Sequence, residues 1–161
     1  MLTRDLHLAS TLQAELVEDL KKTFADMKLK SSKGTFIAPN VYSQRLPLTM
    51  DDDEDELNYA PYVIVALSDF KIEDWFSDKK ITVVLILCTY DAGENRSGDR
   101  ECHLIMDKVL ERFGKNPHIG NFDLVMPIEG AWQEKDTYPF FFGAMELNFT
   151  SIKHITEDIL A

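Results

Sequence analysis

The chain is poor in cysteine, glycine and cationic side chains. Its 161 residues include 2 cysteines, 7 glycines and 6 prolines, and 17 lysines and arginines stand against 28 aspartates and glutamates, a formal net charge of −11. Each shortage excludes something. Cys88 lies in an apolar run and Cys102 in a helical pattern, and a secreted scaffold of this size would carry more cysteines at regular spacings, so reduced intracellular thiols are expected. The cationic deficit argues against a grip on duplex DNA or RNA, whose binders set Lys and Arg against phosphates, and against a basic membrane-surface role. The longest apolar run, 83–88, falls far short of the roughly 20 residues that cross a bilayer. Residues 1–7 mix charges where a signal peptide needs a continuous apolar stretch. With no internal repeat and no low-complexity linker, one soluble domain over 1–161, made in the cytoplasm, is expected.

What is present is enough apolar material, 45% of the residues, to build a core without metals or disulfides. Leu12, Leu16, Val17, Leu20 and Phe24 recur at helical spacing with charges opposite, which predicts a helix over about 10–30, capped by Ser10 or Thr11. The period then changes. Residues 40–47 form a short strand candidate bounded by Pro39 and Pro47. Segments 61–67 and 80–90 are rich in β-branched and aromatic residues and read as a hairpin turning near Ser77-Asp78-Lys79. Both are apolar at odd and even positions, the pattern of strands covered on both faces. Asp99 opens a second helix with Leu104, Ile105, Val109 and Phe113 apolar and Gly114 as its stop, and two further strands run over 122–133 and 140–151. The fold class is α+β: a mostly antiparallel, mixed sheet of about five strands with two main helices packed on one face.

Two helices cover about one face of such a sheet. The second face must be covered by irregular segments, by the tail 150–161, or by another copy of the chain, so self-association is expected. The tail is read as either flexible or interface-forming.

Chemical signatures are sparse. No Cys-x-x-Cys, His-x-x-x-His or His-Glu-x-x-His spacing occurs, and the neighbours Cys102-His103 project in different directions on a helix. Neither a Gly-x-Ser-x-Gly elbow nor a phosphate loop is present. No catalytic, metal-ligating or cofactor-binding residue is therefore nominated, and the chain is expected not to be an enzyme. Six consecutive carboxylates, Asp51, Asp52, Asp53, Glu54, Asp55 and Glu56, lie in a predicted acidic loop over 50–57. They lack the alternation and turn glycine of a calcium loop and read as a solvated segment, with a second reading as a patch facing a lumen or a basic partner. Tyr138, Phe140, Phe141 and Phe142 around Pro139 read first as core aromatics entering a central strand. Consecutive phenylalanines cannot all face one way, so they are also candidates for a subunit interface.

Several segments together carry a resemblance: 40–47 (Asn-Val-Tyr-Ser-Gln-Arg-Leu-Pro), 61–65 (Pro-Tyr-Val-Ile-Val), 83–91 (Val-Val-Leu-Ile-Leu-Cys-Thr-Tyr-Asp) and 136–147 (Asp-Thr-Tyr-Pro-Phe-Phe-Phe-Gly-Ala-Met-Glu-Leu). The chain resembles, over roughly 38–149, the tail terminator or tail completion proteins of long-tailed phages and prophages of Gram-positive bacteria. One departure is Cys88-Thr89-Tyr90, where a small apolar or glycine residue is expected before the tyrosine. The resemblance implies a mixed α/β subunit that forms a ring, commonly a hexamer, on the head-proximal end of the tail tube. Such a ring stops tube polymerisation and meets the head connector, while DNA passes through without specific binding. It also implies a place in the virion after assembly in the host cytoplasm, with the tail tube protein and the head-tail connector protein as partners. Two alternatives stay open: a head-tail connector or neck protein, and, from another class, a small-molecule enzyme or ligand-binding domain gated by the acidic loop.

Overall fold

The computed structural model describes residues 8–48, 59–94 and 98–151. The first helix, α1 (Ala9–Phe24), buries one stripe made of Leu12, Leu16, Val17, Leu20 and Phe24. Its N-cap position is Leu8, without a side-chain cap, and the Leu8 carbonyl accepts the amides of Thr11 and Leu12, both at 3.1 Å. The helix stops at Phe24, short of residue 30, because Leu29–Lys30 (β1) pairs antiparallel with Phe36–Ile37 (β2). The Ser31 amide closes the turn between them onto the Thr35 carbonyl at 2.7 Å.

The main sheet has six strands: β3 (Asn40–Ser43), β4 (Tyr62–Lys71), β5 (Lys80–Tyr90), β6 (His118–Ile119), β7 (Phe122–Trp132) and β8 (Phe140–Ser151). Their spatial order is β3-β4-β5-β8-β7-β6; β3 runs parallel to β4, and the other pairings are antiparallel. The strand beyond the expected five is β6, a two-residue pairing with β7 too short to leave a periodic signal.

Between β5 and β7 lies α2 (Asp99–Lys115), which buries Cys102, Ile105, Met106, Val109 and Phe113. Leu104, expected on the apolar stripe, is instead 46% exposed, and Gly114 lies inside the helix rather than after it. Both helices pack on one face of the sheet. Leu16, Leu20, Val83, Leu85, Leu87 and Ile105, all fully buried, belong to the same core, and each contributes about 1.5–3 kcal/mol relative to exposure. A bidentate pair joins the two helices, with the Arg112 guanidinium donating to the Asp19 oxygens at 2.8 and 2.9 Å.

Of the covers expected for the second face, the tail from 152 onward lies outside the described residues, and the described residues cover that face in part. It is buried at one end, where Tyr62, Ile64 and Cys88 meet Tyr42, Leu46, Tyr90, Phe140 and Phe142, and at the polar pair Thr82 and Asn148 toward the other. Further along, Val84 is half-buried and Ile86 is 37% exposed. An apolar pattern at both odd and even positions thus reflects a surface that the described residues leave largely open.

Candidate interaction surface

The reactive side chains serve the fold. Cys88 and Cys102 are free and buried. Burial pushes the Cys88 thiol up to about 12 and the Cys102 thiol up to about 11, which removes the thiolate that a nucleophile or metal ligand needs. Asp91 is 6% exposed. Burial raises its pKa, but the Gly93 amide and the Lys30 ammonium, 3.0 Å away, more than offset this and hold the carboxyl below its ordinary value. Glu101 beside it moves the other way: desolvation leads, the Asp91 charge adds to it, and the Lys30 amide and ammonium compensate only in part. Among the described residues, no three His, Cys, Asp or Glu side chains come together as a metal-binding group, and no helix is long and apolar enough to cross a membrane.

The open sheet face is more informative. Ladder register places Ile64, Ile86, Ala144 and Ala131 in one row across β4, β5, β8 and β7. The next row holds Ala66, Val84, Glu146 and Glu129. Glu129 and Glu146 are thus opposed, and both are exposed. Beyond them Asn148 is buried: it accepts the Thr82 hydroxyl at 2.9 Å and donates to the Pro127 carbonyl at 3.1 Å, which pins the irregular stretch of β7 between Val125 and Glu129. At the far end of the face, Lys71 opposes Lys80 across the stem of the β4–β5 hairpin.

The hairpin carries apolar side chains out into solvent. Phe70, Trp75 and Phe76 are 65%, 63% and 77% exposed. On the helix side, α2 and β7 leave a groove of about 330 Å³ lined by His103, Met106, Leu110, Ile128 and Trp132, among others. The outer edge of β7 between Leu124 and Trp132 pairs with no strand among the described residues. The outer edge of β4 is closed differently. Gln44, at φ 69°, turns its side chain back so that its Oε1 accepts the Leu67 amide at 2.9 Å and its Nε2 faces the Leu67 carbonyl at 3.4 Å. A side-chain amide thereby occupies the place where β3 would otherwise continue.

The aromatic cluster is divided between faces. Phe140 and Phe142 join the small cluster on the open side, with Phe140 5.3 Å from Tyr90. Phe141 faces the helix side, where its carbonyl accepts the Cys102 thiol at 3.6 Å. Tyr138 is 41% exposed, and its hydroxyl donates to the Ala92 carbonyl. The acidic residues Asp51, Asp52, Asp53, Glu54, Asp55 and Glu56 lie outside the described residues, as does the tail from 152 onward. The hairpin tip escapes a reading of the sequence because its aromatics fall among Asp69, Glu73 and Asp74, between the predicted strand 61–67 and the turn near Ser77-Asp78-Lys79. Three aromatics within seven residues was the available signal.

No protein-family model matches the chain, and no curated protein matches it.

Proposed function

We propose that the chain is a structural subunit that associates with copies of itself into a ring, and that this ring is the terminator of a phage tail tube. The observation that carries the reading is the surface left without cover: an open sheet face with Ile86 at its centre and a hairpin whose three large aromatics are solvent-exposed. Exposed apolar surface of this kind marks protein interfaces. Two different patches on one chain suit head-to-tail contacts that close by rotation. The resemblance over 38–149 supplies the setting: a ring, commonly of six copies, on the head-proximal end of the tube, with the tail tube protein and a head-tail connector protein as partners. A net charge of −11 per copy repels phosphates and suits a ring through which DNA passes without binding.

Sedimentation velocity of the purified protein with and without tail tube protein, followed by electron microscopy of the tubes, tests this. The expected result is a closed oligomer seated on one end of each tube and an end to tube growth. A protein that stays monomeric and never associates with tubes would overturn the reading, and density on the head side of the joint in heads lacking tails would assign it to the neck instead.

A further inference from the structure

Two like-charge pairs sit directly across neighbouring strands on the same sheet face. Lys71 opposes Lys80 on β4 and β5, and Glu129 opposes Glu146 on β7 and β8. All four residues are exposed. Like charges opposed in this way disfavour the strand pairing that brings them together. Among the described residues the opposite signs do not relieve each other. Lys80 aligns with Thr150 while Glu146 aligns with Val84, four residues further along β5, or about 13 Å at strand rise. Among the described residues no ion pair joins the lysine set to the glutamate set; Lys71 reaches only Glu73, at 3.0 Å, with both side chains about two-thirds exposed. Such an exposed pair is weak and readily exchanged.

We propose that the lysine pair of one copy docks on the glutamate pair of the next, so that the β4–β5 hairpin of each subunit lies on the β7–β8 face of its neighbour. The occupant of the open face is a second copy of this chain, and the argument is charge complementarity. An ammonium pair and a carboxylate pair, each unfavourable alone, become four mutually attractive groups when brought together. The surroundings agree. The glutamates are flanked by Val84, Ala131 and Ala144, and the hairpin beyond the lysines presents Trp75 and Phe76 to apolar ground of this kind. Of the acidic groups in the hairpin loop, Asp74 is already engaged, its Oδ1 accepting the Phe76 amide at 2.8 Å. The proposal rests on the reading of a self-associating subunit and adds the contact that joins one copy to the next.

Charge reversal tests it with the full chain. The variants K71E/K80E and E129K/E146K should each fold as the parent does, because all four sites are solvent-exposed. Each should associate at least about tenfold more weakly, and the parent's association should weaken with added salt. An equimolar mixture of the two variants should recover assembly, as should the fourfold variant carrying both reversals. In a mixture of ¹⁴N- and ¹⁵N-labelled parent protein, a carbodiimide should form amide crosslinks between chains that link Lys71 or Lys80 to Glu129 or Glu146. Parent-like assembly of both single-set variants, or failure of the mixture to recover, overturns this contact while leaving the ring reading standing. Recovery in the mixture with a parent assembly that stops at a dimer supports the contact and overturns the ring. A parent that stays monomeric with and without tubes and gives no such crosslink overturns both.

Discussion

Asp91 and Glu101 share one lysine that lowers both, yet they move on opposite courses because burial and the Asp91 charge prevail at Glu101. Asp91 is held below its ordinary pKa, so the stability it supplies is complete above the unfolded carboxylate value, ~3.9, and is lost as pH falls through the lower folded value. Glu101 is raised, so the folded state binds its proton more tightly and stability declines as pH rises from the unfolded value, ~4.3, through the higher folded one. Asp91→Asn should therefore cost about 1.5–3 kcal/mol at neutral pH and flatten the acid limb of a Tm-against-pH profile. Glu101→Gln should remove the decline between the two glutamate values and raise Tm at neutral pH. The thiols make a further prediction at this scale. With Cys88 pushed up to about 12 and Cys102 to about 11, neither should react with a disulfide reagent at pH 8 in the native protein, and both should react on unfolding in denaturant. Rapid labelling of the folded chain would show that the core around them opens.

At the scale of elements, the junction between α2 and β8 is the most exacting. A Cβ on Gly98 would collide with the Phe141 ring and with Asp91, so Gly98→Ala should cost about 1–3 kcal/mol through overpacking. At Gly143 the nearest atom is the Met106 methyl at 2.6 Å, the end of a flexible side chain, and Gly143→Ala should be milder; chemical denaturation ranks the two. Leu85→Asp should prevent folding, because it places a charge in the fully buried centre of β5. Long periodic elements were legible beforehand: both helices, the β4–β5 hairpin and the last two strands follow from apolar spacing alone. What escaped had physical causes. β1, β2 and β6 are two residues each and depend on tertiary pairing. The bidentate link from Asp19 to Arg112 spans 93 positions, and no local pattern announces it. Leu104 fits a helical stripe by spacing yet lies outside the contact with the sheet. The surface charge pairs were hidden for a related reason, since Lys71 and Lys80, like Glu129 and Glu146, become neighbours only once the strand register is fixed.

For the whole molecule, the outcome is a division of labour between the two sides of one sheet. The helix side supplies stability, through a core whose largest members are fully buried. The other side and the hairpin keep apolar groups exposed, and a double variant, Trp75→Ser with Phe76→Ser, should shift monomer stability by no more than about 0.5 kcal/mol while weakening association measured by sedimentation. The Gln44 side chain on the border of β4 has a consequence here. A strand border left bare invites another chain to add itself, and the additions need not stop. An amide that copies the bonds of a missing strand satisfies Leu67 and then offers nothing to extend. In the proposed terminator that side chain closes the β4 border to strand addition, while the border of β7 from Leu124 to Trp132, unpaired among the described residues, is left for another chain.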